Sequence, residues 1–111
     1  MSRKHCGWPI FVLTLAFFAG TPSAFAQSPT AQRGLTLVRA HCAQCHSIDK
    51  VSESPLPIAP AFRTLHLKYP IENLQRPLSE GIIAGHPTMP QFRFEPDQVR
   101  DVIAYLKTLE Q

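Results

Sequence analysis

The sequence predicts a small all-α domain. Apolar residues recur at steps of three and four in three separate stretches, which is the spacing of amphipathic helices. No stretch shows a strand pattern of any strength, and there is no internal repeat. Proline-containing segments without a period separate the helical stretches. We therefore expect three to five helices packed around one centre.

The first 26 residues predict a secretory signal peptide. Arg3, Lys4 and His5 form a positive start, residues 10–19 are apolar apart from Thr14, and residues 24–26 form a small-x-small cleavage site. The run is shorter than the roughly 20 residues that span a bilayer, so a permanent anchor is the weaker interpretation. We expect cleavage after Ala26, export to a bacterial periplasm, and no stable membrane insertion afterwards.

The expected mature domain, residues 27–111, is nearly neutral. It carries nine Lys/Arg and eight Asp/Glu side chains, a formal charge of +1. There is no basic patch with interleaved aromatic residues, so the sequence does not indicate nucleic-acid binding. A domain of this length buries a modest core and often needs a covalent or metal staple.

The first helix is expected to begin at Thr30, as its N-cap, and to lead into the cysteine pair at residues 42–45. A loop with three prolines is expected over residues 47–63. A loop of this length in a compact domain usually has a function, and wrapping a cofactor edge would be one.

The next helical stretch is expected over residues 70–84. Pro77 should split it into two short helices and open the second, and Gly85 should end it. The last helix begins at Pro96 and carries a clear apolar stripe. Glu95 is a poor N-cap, so we expect a frayed first turn.

Residues 42–46 read Cys-Ala-Gln-Cys-His, the C-x-x-C-H pattern of c-type haem attachment. Each thiol can add to one haem vinyl group, and His46 is then placed under the iron as an axial ligand. Zinc would need a second ligand pair, and a thioredoxin-like pair would need a βαβ context. The sequence indicates neither, so the motif predicts one covalently attached haem c.

Taken together, these features resemble a class I cytochrome c over essentially all of residues 27–111. The resemblance implies the cytochrome c fold, with thioether bonds at Cys42 and Cys45. It also implies that His46 is the proximal iron ligand and Met89 the distal one. Pro60 matches the family's proline whose carbonyl accepts the other ring N–H of the proximal histidine.

The resemblance also implies a crossing between the first and last helices. The residues that match it are Gly34 and Val38 on the first helix and Val102 and Tyr105 on the last. No tryptophan remains after cleavage to bond a haem propionate. The unranked candidates for that contact are Arg63, His66, Lys68 and Tyr69.

The sequence thus predicts an exported monohaem carrier of single electrons between unidentified redox proteins, without enzymatic activity. Met89 is the sole methionine after cleavage and precedes a proline, whereas His86 could compete as a nitrogen ligand. Two alternatives stay open. One is a haem enzyme or small-ligand sensor with a labile distal site, and the other is a cytochrome subunit of a larger dehydrogenase.

Overall fold

The computed structural model describes Gly20 and residues 26–81 and 89–110. The expectations for the signal peptide, His86 and Gly85 lie outside the described residues. The elements are α1 (Pro29–His41), a first 3₁₀ helix (Phe62–Leu67), a second 3₁₀ helix (Ile71–Leu74), α2 (Gln75–Glu80) and α3 (Pro96–Lys107). These ranges contain no strand, which confirms the all-α class. No helix among them is long and apolar enough to cross a membrane.

The start of α1 differs from the expectation. Ser28, rather than Thr30, is the N-cap, and its Oγ accepts a hydrogen bond from the Ala31 backbone N–H at 3.2 Å. Pro29 occupies the first helical position. Its missing N–H costs no hydrogen bond there, because the first N–H groups of a helix have no partner within the helix. The prediction of Thr30 was wrong because the proline fits inside the first turn and does not precede it.

The crossing of α1 and α3 organises the domain. Gly34 lies against Asp101 and Tyr105 of α3, and Val38 is fully buried one turn later. Beside the crossing, the Arg33 guanidinium donates two hydrogen bonds to the Asp101 carboxylate, at 2.7 and 3.1 Å. The two helices are therefore joined by close backbone packing and by one ion pair whose acidic partner is buried.

The stretch after residue 70 forms two short helices, as expected, but with other bounds. The second begins at Gln75, so Pro77 lies within its first turn and does not open it. It ends at Glu80 because Gly81 has a φ of 102°, which favours glycine. The prediction of a helix continuing through Gly81 was wrong.

Two further local expectations are corrected. The proline loop ends at Ala61, because Phe62 and Arg63 open the first 3₁₀ helix. At α3, Glu95 and Gln98 form a capping box in which Gln98 Oε1 accepts from the Glu95 backbone N–H at 3.0 Å. A capped start replaces the frayed first turn that we expected.

Candidate functional site

Residues 42–46 form a tight turn directly after α1. The Cys42 carbonyl accepts hydrogen bonds from the backbone N–H groups of Cys45 at 3.2 Å and His46 at 3.0 Å. Cys42 and His46 are buried, Cys45 is partly exposed, and the two cysteines are not joined by a disulfide. The turn therefore holds two thiols and one imidazole close together along the chain.

A cavity of about 240 Å³ lies beside this turn, and most of its wall is apolar. The described residues that line it are Cys42, His46, Pro60, Phe62, Leu65, Tyr69, Leu74, Pro77, Leu78, Met89, Phe92, Val102 and Leu106. Four of the five residues singled out from the sequence thus share one cavity: Cys42, His46, Pro60 and Met89. Cys45 lies in the same turn but not in the wall.

Two contacts restrain the His46 ring. Its Nδ1 donates a hydrogen bond to the Pro60 carbonyl oxygen at 2.8 Å. Because a carbonyl oxygen can only accept, Nδ1 carries the proton, and the neutral ring then has its lone pair on Nε2. The Phe62 ring packs on the imidazole, with the centroids 4.7 Å apart and the planes tilted by 34°. This tautomer and this restraint suit an axial metal ligand.

An aromatic cluster adjoins the cavity at Phe92. Phe92 lines the cavity close to Met89 in the chain, and its ring centroid is 5.1 Å from that of Phe94. Both rings contact the His41 ring at the end of α1, at 5.8 and 5.3 Å. The Phe94 N–H donates to the Leu78 carbonyl at 2.9 Å. The segment that follows Met89 is therefore tied to both α1 and α2.

The structure separates the four candidates for a propionate contact. Tyr69 lines the cavity and is half-buried, and burial raises the pKa of its phenol, which keeps the O–H as a neutral donor. Arg63 instead donates to Ser47 Oγ at 3.2 Å and to the Ser52 carbonyl at 2.6 Å. His66 and Lys68 are not among the described residues of the wall.

The chemistry of the wall fits a haem. The described residues that line it include no Asp, Glu, Lys or Arg, as an apolar porphyrin face requires. Burial raises the pKa of the Cys42 thiol to about 11, so an unattached thiol stays protonated and is a poor agent of thiol exchange. That disfavours the thioredoxin-like interpretation. Within the described residues, no group of three His, Cys, Asp or Glu side chains could hold a metal ion.

Sequence reasoning missed two aromatic residues of this site, Phe62 and Phe92. Each follows a residue that had been singled out: Phe62 comes two residues after Pro60, and Phe92 comes three residues after Met89. That proximity was the available signal. Which ring would face the cavity depends on tertiary packing that spacing alone does not encode.

Fold and site together define an all-α domain built to hold a covalently attached haem. A family model described as Cytochrome c matches residues 31–110, which is most of the chain. The chain therefore belongs to the cytochrome c family, and its cofactor is haem c, with iron, attached covalently. No significant match is found to a curated protein or to a solved structure.

Proposed function

We propose that this cytochrome c is an exported monohaem carrier, in which His46 and Met89 hold the iron and Cys42 and Cys45 hold the porphyrin. Membership of the family supports haem-based electron transfer. The observation that carries the finer proposal is that His46, Met89 and Cys42 line the same apolar cavity.

The side chains of this cavity match the needs of a one-electron carrier. When bound, haem supplies an Fe(III)/Fe(II) couple. A neutral imidazole and a thioether favour the reduced iron more than two nitrogen ligands would, which raises the potential. The Pro60 carbonyl fixes the tautomer and plane of His46. Because both axial positions would be taken by protein atoms, we propose no enzymatic activity.

We propose that donor and acceptor are redox proteins that dock briefly at the mouth of the cavity, through a small interface. A basic docking ring is not expected. The mature domain keeps only three lysines, and Lys107 is paired with Glu72. The contact would depend on shape and apolar surface more than on charge.

A freely diffusing carrier is favoured over an obligate subunit of a dehydrogenase. Among the described residues, the exposed large apolar side chains are Val51, Leu56 and Ile58 in the proline loop and Leu67 at the end of the first 3₁₀ helix. Four exposed apolar side chains are ordinary for a monomer and fall far below the apolar area of an obligate interface. Stoichiometric co-purification with a larger enzyme through salt and detergent washes would contradict the free-carrier proposal.

The proposal includes export and maturation. Cleavage after Ala26 should give an intact mass equal to residues 27–111 plus one haem, and osmotic shock should release the protein. The control is a variant in which large residues replace Ala24 and Ala26. This variant should keep residues 1–26 and stay in the membrane fraction. Recovery of the native chain with residues 1–26 in the membrane fraction would argue for an anchored protein.

The test of the carrier function is Met89→Ala, with His86→Ala as the matched control. Removing the thioether should lower the reduction potential and let the reduced protein bind carbon monoxide, because it opens the sixth position. His86→Ala should leave both properties unchanged. If His86→Ala alters them and Met89→Ala does not, the distal ligand is a nitrogen and the proposed ligand set is wrong.

A further inference from the structure

We propose that Arg63 and Ser47 form a latch that sets the orientation of the His46 imidazole, which makes Arg63 a positioning residue of the electron-transfer site. Neither residue is among those that line the cavity, so both act through His46. The inference rests on the proposed role of His46 as an axial ligand.

Both contacts that restrain the His46 ring come from one short stretch, residues 60–62. Pro60 supplies the hydrogen-bond acceptor at 2.8 Å, and Phe62 supplies the packed ring at 4.7 Å. The imidazole plane is therefore only as well defined as the position of that stretch relative to the turn that holds His46.

Ser47 fixes that relative position. It follows His46 directly and is 3% exposed, and all three of its polar groups are bonded. Its carbonyl accepts from the Phe62 backbone N–H at 2.9 Å, and its own N–H donates to Ser54 Oγ at 3.0 Å. The first of these bonds joins the residue after His46 to the residue that packs on its ring.

Arg63, in the first 3₁₀ helix, adds side-chain contacts to Ser47 and to the loop. Its Nη1 donates to Ser47 Oγ at 3.2 Å and to the Ser52 carbonyl at 2.6 Å, and its Nη2 lies 3.7 Å from the Glu53 carboxylate. Its side chain is 24% exposed, so these bonds are partly shielded from water. One guanidinium thus links Ser47 at the start of the loop, Ser52 within the loop, and the helix that carries Phe62.

The loop to which Arg63 donates hydrogen bonds is itself held by internal hydrogen bonds. Asp49 Oδ1 accepts from the backbone N–H groups of Val51 at 2.8 Å and Ser52 at 2.6 Å, which forms a side-chain turn. Hydrogen bonds from Ser52 lower the pKa of Asp49 to about 2, so the carboxylate stays charged at neutral pH. The Ser52 carbonyl is therefore a fixed acceptor for Arg63.

The test compares Arg63→Met, Arg63→Lys and the control Arg76→Met in the oxidised holoprotein. Arg76 is an exposed arginine of α2 that pairs with Glu80. Proton NMR of the haem methyl groups reports the plane of the axial imidazole. Arg63→Met should change the spread of these shifts and the reduction potential. Arg63→Lys, which keeps the positive charge and one donor nitrogen, should restore both in part, and Arg76→Met should match the native protein.

A purely structural role gives a different result. If Arg63→Met lowers only the denaturation midpoint and leaves the methyl shifts and the potential at native values, the latch is overturned. Should Arg63→Met fail to accumulate, Ser47→Ala removes the same bond with a smaller change, and native shifts in that variant would equally overturn the latch. The methyl shifts also respond to the sixth ligand, so carbon monoxide binding is measured on the same variants, and an error about Met89 is recognised there separately.

Discussion

Gly34 of α1 lies directly against the carbonyl group of Asp101 of α3. A Cβ atom at position 34 would be 1.9 Å from the Asp101 oxygen, 2.6 Å from its carbonyl carbon and 2.8 Å from Tyr105 Cβ. Only glycine permits this approach, since the nearest atoms are backbone. The crossing brings the turn that follows α1 next to Val102 and Leu106, the two residues by which α3 contributes to the cavity.

Gly34→Ala is expected to lower the free energy of unfolding of the holoprotein by about 3 kcal/mol, the upper end of the usual overpacking range. The two helix backbones must separate to admit the methyl group. The control is Thr36→Ala on the exposed face of α1, which should change stability by less than about 0.5 kcal/mol. Denaturant titration measures the stability of both variants. Equal denaturation midpoints for Gly34→Ala and Thr36→Ala would contradict this close packing.

The Arg33–Asp101 pair predicts an acid-sensitive contribution to stability. The hydrogen bond from Arg33 lowers the pKa of Asp101 below its ordinary value of 3.8. Because the folded-state pKa is the lower one, the contribution is full above about pH 3.8 and is lost as the pH falls through the folded-state value. Asp101→Asn should therefore lower stability at neutral pH and flatten its decline in acid.

Denaturation midpoints measured from about pH 5 to about pH 2 check this expectation. The control is Glu80→Gln, which removes an exposed carboxylate that pairs with Arg76 at the surface. The curve of denaturation midpoint against pH for Glu80→Gln should run parallel to that of the native protein. If the Asp101→Asn curve is also parallel to the native one, Asp101 does not carry the predicted linkage.

Tyr105 joins α3 to the segment that follows the haem motif, because its hydroxyl donates to the Ile48 carbonyl at 2.6 Å. Burial raises the pKa of this phenol, so it remains a neutral donor. Tyr105→Phe should cost about 1–2 kcal/mol of stability, since the carbonyl loses its partner. The visible spectrum should not change, as Tyr105 is not among the residues that line the cavity. An unchanged denaturation midpoint would contradict a role for this bond.

What the sequence could predict was the part that depends on residue type at fixed spacing. The turn at residues 42–46 carries its chemistry in five consecutive positions, and the apolar stripe of α3 extends over three turns. Pro60 was reached through the family resemblance, and the structure places its carbonyl on His46. The ligand role of Met89 stays a prediction, although Met89 lines the expected cavity.

The remainder depends on contacts between distant parts of the chain. A 3₁₀ helix of six residues buries only Phe62 and Leu65, which is too short a pattern to reveal a period. The bond from Arg63 to Ser47 spans 16 positions, and no local pattern in the sequence indicates it. Whether Ser28 or Thr30 caps α1 depends on the position of Pro29. A proline fits both before a helix and in its first turn, so the sequence alone did not decide between them.

The nearly neutral charge of residues 27–111 predicts weak electrostatic steering. The rate of electron self-exchange between oxidised and reduced protein should change by less than about tenfold between low and high salt. Glu80→Lys, which replaces a negative charge by a positive one at an exposed site, should steepen that dependence. NMR line widths of mixed-oxidation samples give the rate, and a native rate that rises steeply with salt would reveal a charged docking face.

Whether Met89 completes the site is measured most directly by the visible spectrum of the native protein, recorded oxidised, reduced, and reduced with carbon monoxide. We expect the oxidised protein to show the weak red-end charge-transfer band of sulfur-ligated ferric haem. We expect the spectrum of the reduced protein to be unchanged by carbon monoxide, because the sixth position is filled. An oxidised protein without this band, together with prompt formation of a carbon monoxide adduct, would contradict the carrier function and indicate an open distal site.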